Sequence, residues 1–141
     1  MDVTQLPFNR LLGLKPADVD SEFLVILPEG PQYLNHLGTV HAGALLAVAE
    51  AASGALLLLR LGGDSAGFIP VVRRLEAKFC RPATGRVSAR ALVAPEEAAR
   101  WASELAGRGR VLAAVPVEVV DAGGAVVLSA TVEWFIAPDN R

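Results

Sequence analysis

The sequence predicts an α+β domain in which an antiparallel sheet wraps one long central helix. Three observations carry that reading: an 18-residue run from Ala42 to Leu59 with a single charge, Glu50; a strand-like run before it; and four β-like runs after it. At 141 residues the chain makes one domain, residues 1–141, able to bury about two thirds of its unfolded surface. A hydrophobic fraction of 52% against 20% charged residues is rich for a lone domain of this size, so an oligomer is expected. A net charge of -2 gives no general attraction for nucleic acid or anionic membranes, and neither is expected as a partner. The start of the chain, MDVTQLPFNRLLGL, lacks a basic segment followed by an apolar one, so no secretory signal is read and a cytoplasmic location is expected.

Taken in order, Thr4 to Gly13 reads as a short helix stopped by Gly13, and Ser21 to Pro28 as a strand ended by the turn-rich Pro28-Glu-Gly-Pro31. The apolar helix follows and closes at Gly62-Gly63. The later strands are Phe68 to Cys80, Gly85 to Val93, Arg110 to Val120 and Ala125 to Ile136, read as an antiparallel meander. Asp121-Ala-Gly-Gly124 is the hairpin turn joining the last two. Between the second and third, Pro95 to Leu105 puts Ala98, Trp101, Ala102 and Leu105 on one helical face, an amphipathic helix at the sheet margin. Cys80 is the lone cysteine and reads as an inert buried thiol. With His36 and His41 as the only imidazoles there is no zinc-ligand cluster, and neither metal nor other cofactor is expected.

Glu50 is the first functional candidate. An ionised carboxylate amid Ala and Leu costs several kcal/mol to bury, so it is protonated, paired or used. A membrane span is disfavoured, because a central acid costs roughly 2.5–3.5 kcal/mol on insertion scales. If the helix starts near Ala42, the free N–H groups of Ala42, Gly43 and Ala44 suit an oxyanion, although small residues there also permit tight helix packing. From Ala42 to Glu50 is roughly 12 Å of helix, too far for both to reach one carbonyl. Serving one reaction, they must come from two chains of a two-fold dimer.

The run Asn35-His-Leu-Gly38-Thr-Val-His41-Ala42-Gly43 followed by Glu50 resembles the hotdog-fold thioesterases of the phenylacetate-degradation and 4-hydroxybenzoyl-CoA thioesterase type. Their pattern is Asn or Gln, then His-Gly-Gly, then Asp or Glu eight residues after the first Gly. Phe79-Cys-Arg81-Pro82-Ala83-Thr-Gly85 is similar to that family's strand and Pro-Ala-x-Gly turn. The resemblance implies a hotdog fold, hydrolysis of an acyl-CoA or aroyl-CoA by water, and a homodimer or dimer of dimers. It implies that Asn35 holds substrate or water, the Ala42 N–H polarises the carbonyl, and the partner's Glu50 acts as base or nucleophile.

Two positions depart from the pattern: Ala42 stands where many relatives have Gly, and Val72 where some carry Ser or Thr. Ser53, three residues beyond Glu50, either substitutes for that hydroxyl or bonds its own helix backbone. His41 either orients the loop or touches substrate, or is a capping or packing histidine. Tyr33 and Leu34 line an acyl pocket or staple the helix start. Arginine outnumbers lysine eleven to two. Arg73, Arg74 and Arg81 are candidate coenzyme A phosphate contacts within a basic group on two adjacent strands, though Glu76 between Arg74 and Lys78 also reads as a cross-strand charge ladder. A hydratase of the MaoC-like type is disfavoured, since no Asp precedes a His by five positions. The alternative is a non-catalytic acyl-CoA or fatty-acid binding dimer.

Overall fold

The computed structural model describes residues 1–62 and 67–141. Gly63, half of the expected helix stop, lies outside them. The expected first helix is split. A 3-10 turn, Val3–Gln5, precedes α1, Pro7–Leu12, because Pro7 holds Leu6 extended (φ -61°, ψ 142°) and starts a new helix from its own ring. Gly13 ends α1 at φ 73°, as expected.

A two-residue strand that the sequence did not announce, β1 (Lys15–Pro16), pairs with β2 (Val25–Leu27), which is shorter than the expected Ser21 to Pro28 run. The central helix α2 is Ala42–Leu61, with Gly62 at φ 90° as its cap. It is long and apolar enough to cross a membrane by composition, yet here Val48, Ala49, Ala52 and Leu57 are buried against the sheet and it is the core helix of the domain. Then come β3 (Phe68–Phe79), β4 (Val87–Ala91), α3 (Pro95–Arg108), β5 (Val111–Asp121) and β6 (Val126–Pro138).

Among the described residues the strands form one antiparallel sheet of six, ordered β1-β2-β4-β5-β6-β3. This corrects the meander. Of the four strands expected to form it, β4, β5 and β6 run in sequence order, while β3 crosses over and pairs with β6, from Phe68↔Pro138 to Phe79↔Leu128. Arg73, Arg74 and Lys78 on β3 are therefore separated from Arg90 on β4 by two intervening strands, β5 and β6, and the basic group on adjacent strands does not form. Period-two patterning tells which face a residue occupies and is silent on which strand is its neighbour.

The hairpin at Asp121 forms as expected. Gly124 at φ 88° donates to the Asp121 carbonyl (3.1 Å), while the Asp121 carboxylate accepts from Gly123 (3.0 Å) and Ala125 (2.9 Å). Along β5, Val111, Ala113, Val115 and Val117 point at the core, and on β6 Leu128, Ala130, Val132 and Trp134 do the same. α3 buries Ala98, Trp101 and Leu105, while Ala102 stays exposed. Trp101 is wholly enclosed, with its indole N–H donated to Glu97 (3.1 Å).

Candidate active site

The start of α2 is held by two loops. His41 donates its N–H to the Tyr33 carbonyl (2.7 Å), and Val40 donates to Ala83 of the Pro82-Ala83-Thr84-Gly85 turn (2.8 Å). That turn, singled out in the sequence, braces the helix start. Asn35 closes the loop between them: its side-chain oxygen accepts from Leu37 (2.9 Å) and Thr39 (3.1 Å), and its amide lies 2.9 Å from the Thr39 hydroxyl. Gly38 at φ 74° permits the tight return. One Asn35 amide hydrogen remains for water or substrate. Thr39, which the sequence reading passed over, is the residue that orients this amide.

His41 is the N-cap, accepting the Gly43 N–H on Nδ1 at 2.8 Å, while its carbonyl takes Ala44 (3.0 Å) and Leu45 (3.1 Å). The expectation of three free N–H groups is thereby corrected. Those of Gly43 and Ala44 are used by the cap; of the three, only that of Ala42 makes no hydrogen bond among the described residues, and Ala42 is an exposed residue. Gly43 is exposed too, and a Cβ there meets nothing nearer than the His41 ring at 3.2 Å.

Glu50 is half-buried two turns further on, and burial pushes its carboxyl above the ordinary 4.5. No described residue gives it a hydrogen bond or ion pair. Leu46 and Ala47, one turn back on the same face, are only partly covered, so α2 presents an incompletely covered stripe from Ala42 to Glu50.

Ser53 settles between its two readings. It is fully buried, donates to the Glu50 carbonyl (2.7 Å) and accepts the Trp134 indole N–H (2.9 Å). With its hydroxyl used in both directions and no surface exposed, Ser53 is in the backbone-bonding state of its two readings. Val72 lies opposite Trp134 in the β3–β6 ladder and is 36% exposed. It adds no polar group.

The remaining candidates are dispersed. Arg74 is ion-paired with Glu76 two residues along the same strand rather than across strands, and Arg73 lies 3.8 Å from Glu133 on β6. Arg81 is exposed in the bracing turn. Tyr33 is buried and donates its hydroxyl to the Leu12 carbonyl, tying the helix lead-in to α1; Leu34 and His36 are exposed. Cys80 is exposed, against expectation, because β3 is an edge strand whose last residues nothing covers. Among the described residues no three His, Cys, Asp or Glu side chains cluster to hold a metal.

A six-stranded antiparallel sheet wrapped on a helix whose start is braced by a Pro-Ala-x-Gly turn is the hotdog fold of the thioesterase superfamily. A Pseudomonas aeruginosa protein of unknown function, described as a probable thioesterase, is 27% identical with a TM-score of 0.81, over 97% of this chain and 91% of that one. The same fold is seen in a Staphylococcus aureus thioesterase variant (17% identity, TM-score 0.67, 94% and 100% covered) and in a Bacillus halodurans protein solved with CoA (23%, 0.67, 92% and 74%). The chain belongs to the DUF4442 family, a domain of unknown function whose profile matches residues 5–136 and which is thioesterase-like. No curated protein matches the sequence.

Proposed function

We propose that this protein hydrolyses an acyl-CoA or aroyl-CoA thioester, working in the cytoplasm as a homodimer with two sites at the interface. One observation carries the reading: Glu50 is a half-buried carboxylate of raised pKa with no partner among the described residues, on the incompletely covered stripe of α2 that begins at the free Ala42 N–H. A structural acid in such a helix is normally paired.

In the proposed site the Ala42 N–H of one subunit polarises the thioester carbonyl, and Glu50 of the other removes a proton from the attacking water. The water oxygen bonds to the carbonyl carbon, the C–S bond breaks, and the thiolate takes up a proton as acid and coenzyme A part. Glu50 as a nucleophile, forming an anhydride, is the covalent form of the same assignment. The remaining Asn35 amide hydrogen is aimed at substrate or water, and Arg81 and Arg73 are the candidates for coenzyme contact. Support for the dimer comes from β3: a 12-residue edge strand with Val71, Val72 and Phe79 exposed is an open template for a second copy. The CoA bound to the Bacillus halodurans fold relative makes coenzyme A the first thiol to try.

The second reading, a non-catalytic acyl-CoA or fatty-acid binding dimer, draws on the Ser53 hydroxyl and the Asn35 oxygen being engaged in structure. Free-thiol release from short, medium, long and aromatic acyl-CoAs, measured for native protein and Glu50→Gln, separates them. Turnover that collapses in Glu50→Gln while the dimer persists is the expected result. Saturable binding without turnover across the panel replaces the enzyme with the binder.

A further inference from the structure

On the opposite face of the sheet from α2, a cleft of about 310 Å³ opens where α3 ends and β5 begins. Its floor is apolar. Leu112 and Phe135 are register partners on neighbouring strands, 42% and 38% exposed, and the Val111 side chain beside them turns to the core. Its rim is cationic: Arg73 from β3, Arg100 and Arg108 from α3, and Arg110 just before β5, with Glu104 as the one acid among the lining residues. Gly109 at φ 73° reverses the chain between Arg108 and Arg110, so both guanidinium groups flank one opening.

The arginines differ in what they already hold. Arg100 is engaged by Glu97 and Glu104, and Arg73 has the long 3.8 Å contact with Glu133. Arg108 and Arg110 are exposed and have no acidic partner among the described residues. Two unengaged guanidinium forks beside an exposed aromatic ring match a ligand with a phosphoryl group at one end and a flat ring at the other. A bare anion leaves the floor unused, and an uncharged ring leaves the forks unused.

We propose that this cleft binds the phosphorylated adenosine unit of a nucleotide, with phosphate on Arg108 and Arg110 and the base over Phe135 and Leu112. The nucleotide arrives either as a free effector or as the far end of a coenzyme A thioester that wraps around the sheet end where β5 begins. The second source rests on the thioesterase reading; the binding chemistry does not.

The test titrates adenosine 3′,5′-bisphosphate, ADP and inorganic phosphate calorimetrically into native protein, Arg108→Ala/Arg110→Ala and Phe135→Ala, all changed at exposed positions. The bisphosphate is expected to bind saturably, to weaken at least tenfold in the double variant, and to weaken in Phe135→Ala while inorganic phosphate is unaffected there. No saturable binding to native protein, or equal affinity in the double variant, overturns the proposal whether or not the protein hydrolyses thioesters. Competition by CoA but not by pantetheine, with a raised KM for acyl-CoA and an unchanged KM for the acyl-pantetheine in the double variant, assigns the cleft to the substrate's own end. Bisphosphate binding undisturbed by saturating CoA assigns it to a free nucleotide.

Discussion

Glu50 and Ser53 lie on one helix face, three residues apart, and their surroundings give them opposite tasks. Glu50 has no partner among the described residues and is half desolvated, and burial raises its carboxyl above the ordinary 4.5. A general base must be ionised, so kcat/KM is expected to rise with pH through that raised pKa and to lose its acid limb in Glu50→Gln, with turnover reduced about 10²–10⁴-fold. A pH-rate profile with an apparent pKa at or below 4.5 contradicts this. The sign for stability runs the other way. A raised carboxylate pKa means the folded state binds its proton more tightly, so the charge destabilises the fold above that pKa and the penalty disappears as pH falls through it. Glu50→Gln is therefore expected to raise the urea midpoint at pH 7 and to give a smaller gain near pH 5. Ser53→Ala leaves the Trp134 indole N–H unpaired in the core and should cost about 1–3 kcal/mol in urea unfolding with kcat unchanged. A loss of kcat without loss of stability returns Ser53 to the site.

At the scale of elements, the lead-in to α2 concentrates its constraints on one cap. His41 takes the Gly43 N–H on Nδ1, so that nitrogen is unprotonated in this geometry. His41→Ala should cost about 0.5–2 kcal/mol, and His41→Asn, which also caps, should recover most of it in thermal or urea unfolding. Equal losses in both variants point to a role for the ring itself. Glu50 as sole charge, the helix start, the Asp121 hairpin and the buried face of α3 were all legible in the sequence, because each rests on local patterning or turn chemistry. The cap was legible only as one of several readings of His41: Ser, Asp or Asn would have announced it, whereas a histidine is assigned to capping only once the backbone is placed. The freedom of the Ala42 N–H, and of no other in that turn, follows from the same placement.

For the whole molecule, the test of two chains sharing a site is complementation. Ala42→Pro removes the one free N–H while proline suits the first helical position, and His41 before it is already extended (φ -60°, ψ 139°). The variant should fold and lose about 10²–10³ in kcat. Mixed and re-equilibrated with Glu50→Gln, it should regain about a quarter of native activity, since half the dimers are mixed and each has one intact site. No recovery, with mixed dimers demonstrated by mass, places both groups of a site in one chain. The edge strand gives a second handle. Phe79→Lys at its exposed end should shift sedimentation toward monomer and lower activity in proportion.

The sequence by itself determined that one helix is the core, that strands surround it, that Glu50 is out of place there, and which residues face inward, because burial periodicity and the cost of a lone charge are written residue by residue. The tertiary structure decided the rest. It placed β3 beside β6, which made β3 an edge, exposed Cys80 and dissolved the basic group expected on adjacent strands. It occupied Ser53 with Trp134, a residue 81 positions away, and it gathered Arg73, Arg108, Arg110 and Phe135 around one cleft. Strand order and contacts between distant residues depend on how long connections cross the sheet, and no periodicity within an element records that.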